Sequence, residues 1–238
     1  MTRKIFLFVF LIQTFLYTNA KTDEIAEIPP EKVNLSGKLY MNPAGLDGSP
    51  YLIEDWTDTD LYLENGQIAK NVKTKLNLID NDLIFYNDGV SRVFAIDKET
   101  INKFKYKVGN SDSTLFIKYT GKELGYRLKN NQFVEVAYNN RICLLIKHFA
   151  EVISPNDLSS KKKVYSKRSY FLIINDIPQE IKLRYRSLYN IFPEKKKEIR
   201  KIIKENKLRK QNIGNFNKLL KLIEETPDIM TSVRMEKQ

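Results

Sequence analysis

The chain has 238 residues and a formal net charge of +11, with 40 lysines and arginines against 29 aspartates and glutamates. Its single cysteine excludes an internal disulfide and a Cys-based zinc site, and its single histidine excludes a metal site built on paired histidines. The positive charge favours a partner with an acidic surface, such as phospholipid head groups, an anionic glycan or nucleic acid. Lysines that only solvate the surface are the simpler explanation.

The first 20 residues have the layout of a secretory signal peptide. Arg3 and Lys4 form a basic start, residues 5–17 are almost wholly apolar, and small residues lead up to Ala20. The apolar run is shorter than the roughly 20 residues of a membrane span, so cleavage is favoured over an uncleaved anchor. We therefore expect export to the periplasm, the outer surface or the medium, with no nucleic-acid partner and no transmembrane segment in the mature chain. Without its two basic residues, the mature chain keeps a charge of about +9.

Residues 21–32 are polar and contain Pro29 and Pro30, which predicts a flexible leader. Residues 33–178 are expected to form an antiparallel β domain, because short apolar and β-branched runs alternate with turn residues. This pattern fits an open sheet, a sandwich or a partial barrel.

Asn65 and Gly66 suit the positive φ angles of a tight turn and predict a hairpin between strands near residues 61–63 and 68. Similar turn residues follow at Asp80 with Asn81, residues 87–89, Gly109 with Asn110, and Asn130 with Asn131.

The later part of this region contains three predicted segments. Residues 124–128 are expected to form a short strand, and residues 142–153, the longest mostly apolar segment, a central strand rather than a buried helix. Residues 156–168, which include three consecutive lysines, predict an exposed excursion.

Residues 186–230 predict an α-helical hairpin that packs on the β domain, and residues 231–238 a disordered tail. Pro193 suits the first position of the first helix. The apolar faces consist of Ile199, Ile202 and Ile203 in the first helix and Phe216, Leu219, Leu220 and Ile223 in the second.

No catalytic, cofactor-binding or metal-binding residue is assigned, because the chain has no nucleophile elbow and no glycine-rich phosphate loop. His148 is interpreted as a packed or edge histidine. Cys143 is interpreted as a buried small hydrophobe. On a strand, their odd separation places them on opposite faces, which disfavours a Cys–His pair.

The densest acidic cluster lies around one tryptophan and is a candidate ligand-binding edge. Its members are Glu54, Asp55, Trp56, Asp58 and Asp60. Charges that protect an exposed strand edge explain the cluster equally well. Calcium binding and a carboxylate site for hydrolysis, with Asp55 or Asp58, remain alternatives.

The strongest electrostatic feature is the basic first helix, a candidate site for anionic lipid or polysaccharide. Its cations are Lys195, Lys196, Lys197, Arg200, Lys201 and Lys204. Because glutamates interleave with them, a solvated helix face is the simpler interpretation.

The stretch Gly48 to Leu52, with the sequence GSPYL, and the following meander to residue 96 resemble uncharacterised exported proteins of Bacteroidetes-type bacteria. The resemblance continues through residues 133–147, 169–172 and 188–208. It implies an exported, mainly β protein and carries no established activity. Together these features predict a non-catalytic binding or structural module of the cell envelope. The alternatives are an anion-binding protein that uses the basic helix, or a hydrolase with an unrecognised carboxylate site.

Overall fold

The computed structural model describes residues 27–28, 35–108, 112–154 and 161–229. The predicted signal peptide, the predicted tail, the turn at 109–110 and most of the predicted leader lie outside these residues. The described part is mainly β, with one open and mostly antiparallel sheet followed by short helices, as the sequence predicted.

Thirteen strands of the described residues belong to this sheet. They are β1 (Glu27–Ile28), β2 (Gly37–Leu39), β3 (Leu46–Asp47), β4 (Thr57–Leu63), β5 (Ile68–Asn77), β6 (Asp82–Asn87), β7 (Arg92–Ile96), β8 (Ile101–Val108), β9 (Asp112–Tyr119), β10 (Gln132–Asn139), β11 (Ile142–Ile153), β12 (Lys162–Ile174) and β13 (Ile177–Ile181). Their order is β13-β12-β11-β10-β9-β8-β4-β5-β6-β7-β2, with β1 beside β5 and β3 beside β12.

Left-handed residues make the tight turns of this sheet. Gly66 has φ +84°, and Asn81 and Asn131 have φ +58° and +60°, at three of the predicted turns. Asn175 and Asp176 have φ +51° and +62° and join β12 to β13. Two successive positive φ angles are typical of a hairpin turn. This turn accounts for the hairpin that adds β13, a strand that was not predicted from the sequence.

Three predictions within the sheet need correction. Of the predicted excursion, residues 156–160 lie outside the described residues, and residues 162–168 belong to the long strand β12. The strands β11 and β12 pair without interruption from Ile142 with Ile174 to Ile153 with Lys163. Residues 124–128 form one isolated bridge instead of a strand, inside a loop that spans residues 120–131. Part of the predicted leader, β1, pairs in parallel with the start of β5.

Three helices follow the sheet: α1 (Tyr185–Ile191), α2 (Lys196–Glu205) and α3 (Ile213–Glu224). The helix α1 was not predicted, and Pro193 lies in the connection before α2 rather than at its first position. The side chain of Asn212 caps α3 by accepting a hydrogen bond from the backbone N–H of Asn215 at 2.9 Å. No helix in the described ranges is long and apolar enough to span a membrane.

The helices cover one face of the strands β10 to β13. The predicted apolar faces provide this contact, since Ile199, Phe216, Leu219, Leu220 and Ile223 are fully buried. They pack against alternate residues of β11 and β12, which include Ile142, Leu144, Leu172 and Ile174. Burial of this face holds the helical layer on the sheet.

The other half of the sheet curls so that its own strands cover the same face. The side chain of Asn81 accepts a hydrogen bond from the backbone N–H of Phe133 at 2.6 Å and donates to its carbonyl at 3.0 Å. The backbone N–H of Ala150 donates to the carbonyl of Leu78 at 3.0 Å. These bonds bring the turn after β5 against β10 and β11, and they close a second apolar core rich in aromatic rings.

The opposite, outer face of β9 to β12 carries a third and smaller cluster. It contains Tyr119, Leu128, Val134, Leu145 and Phe171, with Cys143 packed against it. Leu128 belongs to the loop at residues 120–131, so this loop is held on the outer face by apolar contacts. The loop thereby forms one wall of the groove described below.

Candidate functional site

Two of the four carboxylates of the predicted acidic edge, Asp58 and Asp60, form ion pairs on the outer face of the sheet. Asp58 lies 2.8 Å from the ammonium of Lys73. Asp60 lies 2.8 Å from the ammonium of Lys107 and accepts a hydrogen bond from the backbone N–H of Asn71 at 3.1 Å. Both carboxylates therefore pair with cations of the neighbouring strands β5 and β8, which is the arrangement expected of cross-strand charge pairs.

Trp56 packs against the ammonium of Lys75 and the ring of Tyr86. The ammonium of Lys75 lies 4.9 Å from the centre of the Trp56 ring and 5.0 Å from that of Tyr51, while the ring of Tyr86 lies 6.1 Å away. Glu54 and Asp55 are exposed in the preceding turn. In the described part of the chain, no group of three or more His, Cys, Asp or Glu residues is placed to hold a metal ion.

His148 is 4 % exposed. Its Nε2 is 2.6 Å from Oε2 of Glu135 on the neighbouring strand β10, and its ring centre is 5.9 Å from that of Phe116. The structure therefore gives this histidine a packed position with one carboxylate partner.

Cys143 lies on the face of β11 opposite to His148, as the odd spacing predicted, and belongs to the outer apolar cluster. Burial raises the pKa of its thiol to about 11. Since the thiolate is the reactive form, this position suppresses nucleophilic chemistry at neutral pH.

We expect the native Cys143 thiol to react with a disulfide reagent at pH 8 at least about a hundredfold more slowly than in urea, because its pKa lies above that of a free thiol. The release of the chromophore measures both rates, and the urea-unfolded chain is the control. Equal rates in the two conditions would show that the thiol is exposed.

The predicted basic helix places four of its cations on one exposed stripe. Lys197, Arg200, Lys201 and Lys204 have the spacing i, i+3, i+4 and i+7, which aligns side chains along a helix, and all four are exposed. Ile199 faces the core from the other side. Of the remaining predicted residues, Lys196 is exposed and Lys195 pairs with Glu198 at 3.2 Å.

The net charge is concentrated in this helical layer. Residues 182–229 contain 14 lysines and arginines against six acidic residues, which gives +8 of the total +11. Residues 5–181, by contrast, contain 22 of each sign. One of the six acidic residues, Glu224, is buried, so it adds little negative charge to the surface.

A groove of about 690 Å³ lies on the opposite side of the sheet. The loop at residues 120–131 and the outer faces of β11, β12 and β13 form it. Its lining consists of Tyr126, Arg127, Lys147, Phe149, Glu151, Ser169, Glu180, Ile181 and Lys182. This groove was not predicted from the sequence.

Hydrogen bonds and ion pairs fix most of the charged groups in the groove. The guanidinium of Arg127 lies 3.1 Å from Glu180, which also accepts a hydrogen bond from the Ser169 hydroxyl at 3.2 Å. Lys147 donates to the backbone carbonyl of Arg127 at 2.8 Å. Glu151 pairs with Lys167, which lies on the adjacent strand β12.

One signal of the groove is present in the sequence of β11. Lys147 and Glu151 lie on the same face of a mostly apolar strand, which marks a face that is partly open to water. The lining residues on the loop and on β13 give no such signal, because the fold brings them to the groove from distant positions in the sequence. Comparison with protein-family models, with curated proteins and with solved structures finds no match to this chain.

Proposed function

We propose that this protein is an exported, non-catalytic binding module of the cell envelope, and that its helical layer binds an anionic lipid surface. The main support is the net charge of +8 in residues 182–229, which includes four aligned and exposed cations on α2. The exported location rests on the N-terminal pattern of residues 1–20 and on the resemblance described above.

The position of the apolar residues supports an electrostatic mode of binding. Ile199 of α2 is fully buried, and Ile202 and Ile203 also pack against the buried cluster between the helices and the sheet. The apolar face of α2 is therefore consumed by the core and is not left for insertion into the acyl chains. Lysine and arginine near an anionic bilayer each contribute about 1 kcal/mol, so the stripe alone supplies about 4 kcal/mol.

The test is sedimentation of the exported protein with phosphatidylglycerol-containing vesicles in 50 mM NaCl. We expect the combined replacement of Lys197, Arg200, Lys201 and Lys204 by glutamate to lower the partition coefficient at least about a hundredfold, because four attractive charges become repulsive. Binding of the unchanged protein should also fall steeply between 50 and 500 mM NaCl, because salt screens the attraction.

A matched control reverses four exposed lysines of the sheet region, which changes the net charge by the same amount. These are Lys38, Lys122, Lys162 and Lys163. In this control, the logarithm of the partition coefficient should fall by less than about a tenth of its fall in the α2 variant. Equal losses in both variants, or tighter binding to an anionic polysaccharide than to vesicles, would contradict the lipid assignment. Turnover of a glycoside, ester, peptide or phosphate substrate that disappears in Asp58→Asn or His148→Gln would overturn the non-catalytic part.

A further inference from the structure

We infer that the groove between the loop at residues 120–131 and strands β11 to β13 binds a small organic anion, which combines a carboxylate or phosphate group with a ring-shaped or apolar body. This site is separate from the helical layer, because the groove lies on the outer face of the sheet and the helices cover the inner face.

The groove has the size and construction of a ligand site. Its volume of about 690 Å³ falls within the usual range of small-molecule pockets, roughly 300–1,000 Å³. Four separate parts of the fold supply its walls, namely the loop, β11, β12 and β13. Apolar contacts of Leu128 and the bridge between Leu124 and Leu128 hold the loop in place, so the groove is formed before any ligand arrives.

The charges of the lining favour an anion. Both carboxylates already have a cation, since Glu180 pairs with Arg127 and Glu151 with Lys167. Lys147 and Lys182 add two further positive charges to the lining. The ammonium of Lys147 has three donors and uses one of them for the carbonyl of Arg127, which leaves donors for a carboxylate or phosphate oxygen.

The position of Lys147 strengthens this preference. Burial lowers the pKa of Lys147, and the nearby charge of Lys129 lowers it further, while Glu180 acts in the opposite direction. A cation that is partly removed from water and lies near a second cation gains from an added negative charge. A bound anion would therefore offset the partial desolvation of the Lys147 ammonium and its repulsion from Lys129.

Apolar and aromatic groups in the same groove select the rest of the ligand. Phe149 contributes apolar surface to the lining, and Tyr126 stands at its side with 77 % of its surface exposed. An exposed tyrosine offers a flat face that a ring can cover. The anion should therefore bind better when it carries a sugar or other ring than when it is bare.

The experiment is isothermal titration of the exported protein at pH 7 in 100 mM NaCl with glucuronate, glucose 6-phosphate and glucose. We expect at least one of the two anions to bind with a Kd below about 1 mM, and glucose at least about tenfold more weakly. The glucuronate and glucose 6-phosphate titrations distinguish a carboxylate from a phosphate. Bare acetate and inorganic phosphate serve as controls for nonspecific binding.

Lys147→Met should weaken the binding of the preferred anion at least about tenfold, whereas Lys147→Arg should retain it within about threefold. Lys163→Met is the matched control, since Lys163 is exposed on the same strand pair but lies outside the groove. It should change the affinity less than about twofold. Equal effects of the two methionine variants, or binding no stronger than that of acetate and inorganic phosphate, would overturn the inference. The charge-reversed α2 variant should keep its groove affinity, so failure at one surface is separable from failure at the other.

Discussion

Replacing Phe104 by alanine should lower the free energy of unfolding by about 4 kcal/mol, the largest loss we expect from a single substitution. Phe104 is fully buried at the centre of the curled half of the sheet. Its ring centre lies 4.9 Å from that of Phe116, 5.1 Å from Phe133 and 5.2 Å from Tyr106. Because β8, β9 and β10 all contribute to this cluster, the substitution leaves a cavity that no single side chain can fill.

Urea unfolding followed by tyrosine and tryptophan fluorescence measures this loss for the Phe104→Ala variant. The control is Tyr126→Ala, which removes an aromatic side chain that is 77 % exposed and should change stability by less than about 0.5 kcal/mol. A loss below about 1.5 kcal/mol for Phe104→Ala would show that the aromatic cluster is not the centre of this core.

Replacing Glu224 by alanine should cost about 3 kcal/mol through a different mechanism, the loss of hydrogen-bond partners for buried groups. The Glu224 carboxylate is buried at the end of α3 and accepts hydrogen bonds from the Tyr138 hydroxyl and from the backbone N–H of Ile142, both at 2.5 Å. It thereby joins the last helix to the hairpin between β10 and β11. Glu225→Ala, at the exposed neighbouring position, is the control and should have little effect.

The pKa of Tyr138 provides a second measurement for the Glu224→Ala variant. Burial, followed by the hydrogen bond to Glu224, raises the pKa of Tyr138 to about 12, against about 10 for an unfolded tyrosine. The neutral phenol is therefore favoured in the folded state. Its contribution to stability is complete below pH 10 and is lost as the pH rises from about 10 to 12.

In Glu224→Ala, carbon-13 NMR of the Tyr138 ring should show a pKa closer to 10, because one of the two main causes of the shift is removed. The loss of stability should still begin near pH 10, the unfolded-state pKa, but should be smaller and end at a lower pH than in the unchanged protein. An unchanged Tyr138 pKa would show that Glu224 does not control this hydroxyl.

Local sequence signals predicted the elements whose structure depends mainly on neighbouring residues. The hairpin at Asn65 and Gly66 follows from a dipeptide that adopts the required φ angles. The apolar face of α3 follows from 3.6-residue periodicity, and its start follows from the cap at Asn212. Residues 142–153 form β11 with the predicted bounds, because their β-branched and aromatic composition suits a strand that has a neighbouring strand on each side.

The remaining elements depend on contacts with distant parts of the chain. Residues 162–168 are mostly polar and largely exposed, yet they form a strand because β11 offers a continuous row of backbone partners. The short helix α1 carries two buried residues, Tyr185 and Leu188, which are too few for a periodic pattern. Packing against the sheet stabilises it more than its own sequence does.

The candidate sites differ in the same way. The stripe on α2 could be located from the sequence, since one helix contains all of its residues. The pairing of Asp58 with Lys73 and of Asp60 with Lys107 could not, because it depends on the register of three strands. The groove combines residues as distant as Tyr126 and Lys182, so no short motif marks it.

The uneven distribution of charge between the sheet and the helices also gives the protein an electric dipole. In the field of a negatively charged plane, this dipole rotates the molecule before contact, so that the helices approach first. The outer face of the sheet then points away from the plane and toward bulk water. With the helices on a lipid surface, as proposed, a small molecule can enter and leave the proposed groove site while the protein stays attached, and occupancy of one surface does not obstruct the other.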